Sequence, residues 1–424
     1  MGGNRATDRE NSLVPDGLLA EEVFSMLKLV VAPDSFKGSL TARRAAAVLA
    51  QGLNAALPRA EVIQIPLADG GEGTVEVLLE AVGGQKHLLQ VQGPAGMSQP
   101  VLGAWAQLAD GLGVVEVAAA SGLPLARTGD GGPLRRTSFG TGQLVREALR
   151  ALDPTTASDA RPRLRRLMLA LGGSATVDGG CGLLRALGYR FLDAAGNELE
   201  AVGGELSNIA KVDVEGRDPR LDQTEILLAC DVQSLLLGPR GAARLFGPQK
   251  GASPEEVEIL EAGLGHLAKI TTALTGVAVE ELPGGGAAGG MGAFLSAYLG
   301  GRIRWGADLV LEAVGFSEKL IGASAVFTGE GRVDAGTMEG KIPLAVLRAV
   351  GGRCPVFVLA GELGDGADRL LEAGAAGIIS LVPGPVSREE AMARGEEYLA
   401  AAGRRLGRML EQLWAATPER RGPT

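Results

Sequence analysis

The chain has 424 residues, 46% of them apolar, only 4% aromatic, and 65 of them glycine. Its length favours two domains or more, and its glycines lie between apolar runs with no triplet period, which excludes collagen and argues against a low-complexity tract. A net charge of −9, spread along the chain, argues against a nucleic-acid partner, which usually requires a basic stripe, and so few aromatics leave little to stack on bases.

No apolar stretch approaches the roughly 18 residues of a membrane span. Residues 1–25 lack the apolar core of a secretory signal and are expected to be a disordered extension. Cys181, Cys230 and Cys354 are far apart with no CxxC spacing, so they read as reduced, mostly buried thiols of a cytoplasmic protein. There are only two histidines, His87 in a short strand and His266 in an amphipathic helix, so general-base chemistry falls to Asp or Glu.

In chain order, Leu27–Ala32 reads as a buried strand and Thr41–Leu57 as a helix. Glu61–Leu67 is a second strand and Thr74–Val82 a second helix, a β-α-β-α start typical of a parallel sheet. Lys86–Val91, Pro100–Gln107 and Gly113–Val117 read as short strands, Gly142–Leu152 as a helix, and Asp153–Arg163 as a polar loop. Strands follow at Leu164–Leu171, Tyr189–Leu192 and Glu225–Cys230, with a short helix at Cys181–Leu187. Pro254–Thr275 is a long helix, with Ser253 at its cap and Glu255 and Glu256 in its first turn, where the helix dipole favours acids. Alternation of strand and helix then returns. Helices are expected at Met291–Leu299, Trp305–Val314 and Pro343–Val350, and strands at Ala325–Thr328, Val356–Leu359 and Gly377–Leu381. Two helices, Arg388–Ala402 and Arg404–Trp414, precede a tail (416–424) expected to be disordered. The expected architecture is α/β: a Rossmann- or flavodoxin-like parallel-sheet domain over 26–68 and 285–415, with a second α/β domain, 69–284, inserted in it.

Six apolar runs end in small-residue turns bearing an acid: Asp34, Asp69, Asp178, Asp231, Glu330 and Glu362. In open parallel sheets ligands sit outside the carboxyl ends of the strands. The Asp34–Ser39 turn adds Ser35 and Lys37, groups suited to a carboxylate or phosphate. In Asp69-Gly-Gly-Glu72-Gly the glycines admit a ligand close to the backbone and the acids suit Mg²⁺, a hard ion. Gly172, Gly173, Ser174 and Thr176 lie at a strand-to-helix junction of the kind that cradles anions, though without a Walker A or dinucleotide spacing. Gly284, Gly285 and Gly286 form a second possible nest or an interdomain hinge. Lys250 stands in a turn free to meet a phosphate, and Glu330, Arg332, Asp334 and Lys341 fall within one short segment. Cations that neutralise developing charge, an acid for Mg²⁺ and an acid for the nucleophile are the parts of a phosphoryl-transfer site.

Seven segments in order, VVAPDSFKGSLTA, PLADGGEGT, LGGSATVDGG, ACDV, FGPQKGA, GGGAAGG and TGEGRVD, resemble the type I glycerate kinase family from about Met26 to about Ala400. The resemblance implies ATP-dependent phosphorylation of D-glycerate with Mg²⁺, generally to 2-phosphoglycerate, in a cleft between two α/β domains. Three motifs depart from the family pattern: Ser234-Leu235 stands for Asn-Pro, Gly336 for Gln, and Val177 for Asn. On this reading Asp231 or Asp178 is the base and Lys250, Lys341 and Arg332 neutralise phosphates. Gly172, Gly173, Ser174, Thr176, Gly284, Gly285 and Gly286 cradle ATP. Asp69, Glu330 and Asp334 are the metal candidates, Asp34, Ser35 and Lys37 meet the substrate, and Glu362, outside the motifs, is the least important acid. The enzyme is expected as a monomer or homodimer with no nucleic-acid or membrane partner. A non-catalytic nucleotide- or hydroxy-acid-binding protein of the same fold is the alternative. An NAD(P) dehydrogenase fits the glycine-rich α/β pattern but lacks the dinucleotide fingerprint and a histidine acid/base.

Overall fold

A computed structural model describes residues 27–152 and 165–416. The extension expected over 1–25, the loop expected at 153–163 and nearly all of the expected tail lie outside the described residues.

Strands β1 (Lys28–Val31), β2 (Glu61–Gln64), β11 (Ala325–Val333), β12 (Val356–Leu363) and β13 (Gly377–Ser380) form one sheet in the order β13-β12-β11-β1-β2. Every pairing in it is parallel. The near-continuous apolar runs that predict β1, β11 and β12 reflect burial on both faces, while the edge strands β2 and β13 are only partly covered. Neighbouring residues of β1 enter different cores: Leu29 and Val31 pack with Leu49, Leu53, Leu399 and Leu406 of the helices Ala42–Ala56 and Gly395–Ala416, whereas Val30 faces the opposite core. This is the two-residue period of a strand.

A six-stranded sheet is built from β3 (Gly84–Gly93), β4 (Gly96–Leu108), β5 (Leu112–Glu116), β6 (Arg165–Ala170), β9 (Thr224–Cys230) and β10 (Arg302–Trp305), in the order β10-β9-β6-β5-β4-β3. The β10-β9-β6-β5 part is parallel and β5-β4-β3 antiparallel. A small antiparallel pair, β7 (Arg190–Leu192) and β8 (Lys211–Asp213), stands apart. One face of the six-stranded sheet buries Leu167, Leu169, Ile226 and Leu228 against Leu144, Leu264 and Phe294. The other face, with Ala106, Val114 and Met168, shares a core with Val30, Val326 and Val358 of the first sheet. Val75 and Leu78, Leu309 and Val310, and Ile342 and Val346 fill that shared core. Thus the helices Thr74–Val82, Gly306–Ala313 and Ile342–Val350 lie between the two sheets.

The structure differs from the sequence-based expectation at several elements. The six-stranded sheet runs past residue 285: Met291, Phe294 and Leu295 pack on its outer core, and β10, a short edge strand missed in the sequence, pairs with β9. β11 and β12 extend through their glycines, so Glu330 and Glu362 stand on strands, Glu330 opposite Ala360 and Glu362 opposite Arg332. The last two helices divide at Arg394, not Gly403, as Arg388–Ala393 and Gly395–Ala416. Gly403 is instead a crossing point: a Cβ on Gly52 of the facing helix would lie 3.0 Å from the Gly403 Cα and 2.6 Å from the Ala400 carbonyl oxygen. Ser253 and Glu256 form the capping box of Pro254–Thr275, as their spacing suggests. The three cysteines are unpaired, two buried and Cys354 partly exposed. Among the described residues, no helix is long and apolar enough to cross a membrane.

Candidate active site

In the five-stranded sheet the chain moves from β1 to β2 on one side, and β11 lies on the other. The crevice outside the carboxyl ends of β1 and β11 is therefore a topological switch point. Asp34 follows β1, and its backbone N–H donates to the Gly329 carbonyl oxygen on β11 at 2.9 Å. Asp69 follows β2, and its Oδ1 accepts from Gly71 N at 3.1 Å. From the other sheet, Gly172 follows β6 and Asp231 follows β9. Gly172 N donates to the Gly70 carbonyl oxygen at 3.4 Å. A Cβ on Gly172 would lie 2.6 Å from the Gly71 Cα. The carboxyl ends of both sheets thus meet at backbone contact.

This meeting concentrates charge. Lys37 approaches Asp69 at 3.9 Å, with its side chain 77% exposed at the mouth. Its pKa is held above the ordinary value by Asp69 first, then by Asp34, Asp231 and Glu330. Lys341 Nζ lies 3.4 Å from Glu330 Oε2. Thr337 donates to Glu330 Oε1 at 2.7 Å. Loss of hydration raises the pKa of Asp34, and Asp69 adds to it, while the Ser35 N–H and Lys37 oppose. Asp231 is raised in the same way, by loss of hydration and then Asp69, with Lys37 and Lys341 opposing. Burial also raises Glu330, against Lys341 and Thr337. Four acids and two lysines from five loops and strands therefore share one electrostatic neighbourhood.

Other residues singled out in the sequence stand elsewhere. Asp178, a candidate base, is fully buried and accepts from Ser138 N at 2.8 Å, Ser138 Oγ at 2.7 Å, Gly180 N at 3.1 Å and Gly182 N at 3.3 Å. With its lone pairs so engaged, it organises the loop and offers no acceptor to a substrate. Lys250 is buried too and donates to Ser174 Oγ and the Thr176 carbonyl oxygen, both at 2.8 Å. Burial drives its pKa down to about 7. It ties the inner part of the Gly172–Asp178 loop, whereas the sequence reading expected a lysine free in its turn to meet a phosphate. Gly172 and Gly173 are the outer end of that loop, nearest Gly71.

The glycine-rich segment at 284–290 packs rather than hinges. Gly286 N donates to the Ser234 carbonyl oxygen at 2.9 Å and Gly179 N to that of Gly289 at 3.0 Å. A Cβ on Gly286 would lie 2.4 Å from the Leu235 carbonyl oxygen, and one on Gly285 2.8 Å from that of Leu282. Gly284, Gly285 and Gly286 thus let neighbouring backbones close on the β9 loop. Asp334 is engaged as well: it caps the turn Ala335–Glu339 and pairs with Arg332 at 2.8 Å. Arg332 also pairs with Glu362 at 2.7 Å. Neither histidine is near the acids: His87 stacks on Trp105 at 4.3 Å, and His266 Nε2 bonds the Ile209 carbonyl oxygen at 2.7 Å.

A cavity of about 790 Å³ opens from Asp34, Lys37, Glu330 and Lys341 along the carboxyl ends of β11, β12 and β13. Glu362, read from sequence as the least important acid, lines it together with Arg332 and Ser35. Leu381, Val382, Val386, Met392 and Tyr398 also line it, none of them singled out in the sequence. The signal was present: Gly377–Leu381 reads as another strand, and Val-Pro-Gly is its carboxyl-end turn. Glu116 was also missed. It ends β5 and accepts from Val75 N at 2.7 Å, holding the start of the helix that follows the Asp69 loop. Burial raises its pKa to about 7.

The Glycerate kinase family model matches residues 29–411. The chain is 40% identical over 380 residues to a glycerate kinase of Bacillus subtilis (strain 168), covering 89% of this chain and 96% of that protein. It is 38% identical over 386 residues to a glycerate 2-kinase of Escherichia coli (strain K12), covering 91% and 98%. The crystal structure of a Salmonella typhimurium LT2 protein assigned as glycerate kinase 2 superposes with a TM-score of 0.78 at 37% identity, over 92% of this chain and 99% of that one. The kinase assignment makes ATP and a small-molecule acceptor its reactants, and the chain belongs to the glycerate kinase family.

Proposed function

We propose that this protein transfers the γ-phosphoryl group of ATP to a hydroxyl of D-glycerate, releasing ADP and 2- or 3-phosphoglycerate. The observation that carries the reading is the convergence of Asp34, Asp69, Asp231, Glu330, Lys37 and Lys341 where the carboxyl ends of the two sheets touch. Phosphoryl transfer demands little covalent chemistry of a protein. It needs in-line positioning and neutralisation of charge on the transferred group.

Asp231 is the base of choice. It lies in the charged cleft, and its raised proton affinity suits a carboxylate that must accept a proton near neutral pH. It takes the hydroxyl proton as the glycerate oxygen bonds to the γ-phosphorus. The bond from the γ-phosphorus to the β,γ-bridging oxygen breaks, and its electron pair leaves with ADP. Lys37, exposed at the mouth, pairs with the glycerate carboxylate, while Asp34 and Ser35 face the same substrate. Lys341 and Arg332 meet the phosphates. Gly172 and Gly173 bring backbone close to them, with Ser174 and Thr176 shaping the loop behind.

Asp69 and Glu330 would hold Mg²⁺, which when bound would supply neutralisation of phosphate charge. Among the described residues no three His, Cys, Asp or Glu side chains form a preformed cation cage. Mg²⁺ commonly uses one or two carboxylates with substrate phosphates and waters, so two acids at a crowded anionic site fit that ion. The free thiols support residence in the cytoplasm.

A coupled ADP-release assay with D-glycerate tests the proposal. Glycerate-dependent ADP release is expected; nucleotide binding without turnover would instead favour the non-catalytic reading.

A further inference from the structure

The cavity has two chemically different ends. One carries Asp34, Lys37, Glu330, Arg332 and Lys341. The other is mainly apolar, with the exposed Ser387 and Arg388 beside its apolar side chains, and it is built by elements the phosphoryl-transfer cluster does not use: the turn after β13 and the helices Arg388–Ala393 and Gly395–Ala416.

Several contacts fix this second end against the first. Ser39 Oγ donates to the Met392 carbonyl oxygen at 2.6 Å, and Arg44 pairs with Glu396. A Cβ on Gly38 would lie 2.3 Å from the Met392 Cε. The loop carrying Lys37 is thereby bound to the wall carrying Met392 and Tyr398. Tyr398 is 5% exposed, and its hydroxyl is buried with no hydrogen-bond partner among the described residues. A buried hydroxyl without a partner costs roughly 1–3 kcal/mol, so an arriving acceptor or donor would be favoured there.

We infer that the apolar end, walled by Leu381, Val382, Val386, Met392 and Tyr398, is the seat of the nucleobase of ATP. The inference rests on the kinase reading above. Of the two reactants, glycerate is three carbons bearing oxygen on each, and it has no surface for five apolar side chains. The purine is flat and apolar on its faces, with nitrogen edges that the Tyr398 hydroxyl can meet. A cavity of about 790 Å³ is of a size for one mononucleotide. With the base here, the phosphates run toward Arg332, Lys341 and the acids. The Gly284–Gly286 segment, closed by its own neighbours, then takes no part in holding the nucleotide.

Calorimetric titration separates base from phosphates, using ADP and inorganic tripolyphosphate on the intact protein. Val386 is half-buried, so Val386→Trp fills the apolar end from its surface; Tyr398→Phe removes only the hydroxyl. The expected result is an ADP affinity at least tenfold weaker in V386W and about threefold weaker in Y398F, with tripolyphosphate affinity within twofold of the unaltered protein. Unchanged ADP affinity in both variants overturns the inference, as does an equal loss of ADP and tripolyphosphate binding. If the unaltered protein turns over glycerate but neither variant loses ADP affinity, the base subsite fails and the kinase reading stands. If ADP affinity falls as expected but glycerate is never phosphorylated, the kinase reading fails while a nucleobase seat is supported.

Discussion

Gly71 and Gly172 touch through their backbones and bring the carboxyl ends of two separate sheets together: a Cβ on Gly172 would lie 2.6 Å from the Gly71 Cα. Asp69 enters the site on one side of this contact and Asp231 on the other. Gly172→Ala forces the two loops apart by the missing space, because both partners are backbone. A displacement of about 1 Å at reacting groups can cost on the order of 100-fold in rate. The expected outcome is a kcat at least tenfold lower in G172A with the circular dichroism spectrum unchanged. Wild-type kcat would show that the contact does not set the reacting geometry.

Asp178 carries a contrasting expectation. Its carboxylate satisfies four buried donors from Ser138, Gly180 and Gly182. Asp178→Ala leaves those donors without a partner, each costing roughly 1–3 kcal/mol. Urea denaturation is therefore expected to show a loss of about 3 kcal/mol or more. The kcat of the folded fraction is expected to stay within tenfold of wild type, whereas a loss of several hundredfold at unchanged stability would restore Asp178 as a base.

Much of the fold is legible in the sequence because buried parallel strands declare themselves as apolar runs, and β1, β6 and β9 do so. β10 does not: Arg-Ile-Arg-Trp is a four-residue edge strand with too little apolar length to stand out. Gly403 shows a different limit, since a helix-crossing glycine and a helix-breaking glycine look alike until the facing Gly52 is known. For the site, chemical type was readable but partnership was not. Asp178 and Asp231 both follow buried strands; only the packing shows one enclosed by amides and the other beside Lys37 and Lys341. The apolar wall from Leu381 to Tyr398 was missed because nothing in it is reactive.

Glu116 makes a pH-dependent contribution to stability. Burial lifts its pKa from 4.5 to about 7 in the folded protein. Between those values the folded state holds a proton that the unfolded state has released, so stability falls as pH rises through this window and levels off above it. At about 1.36 kcal/mol per unit the loss is on the order of 3 kcal/mol. Glu116→Gln keeps an acceptor for Val75 N and removes the titration. The stability of E116Q relative to wild type is expected to improve from pH 4.5 to pH 7; parallel stability curves would show that Glu116 titrates normally.

Phosphoryl transfer in the shared cleft turns most directly on Asp231 acting as the base. The decisive measurement is single-turnover phosphorylation of D-glycerate by Asp231→Asn, with ADP affinity determined on the same preparation. A rate lower by about 100- to 10,000-fold with ADP affinity within threefold of wild type is predicted. A rate within threefold of wild type would contradict it.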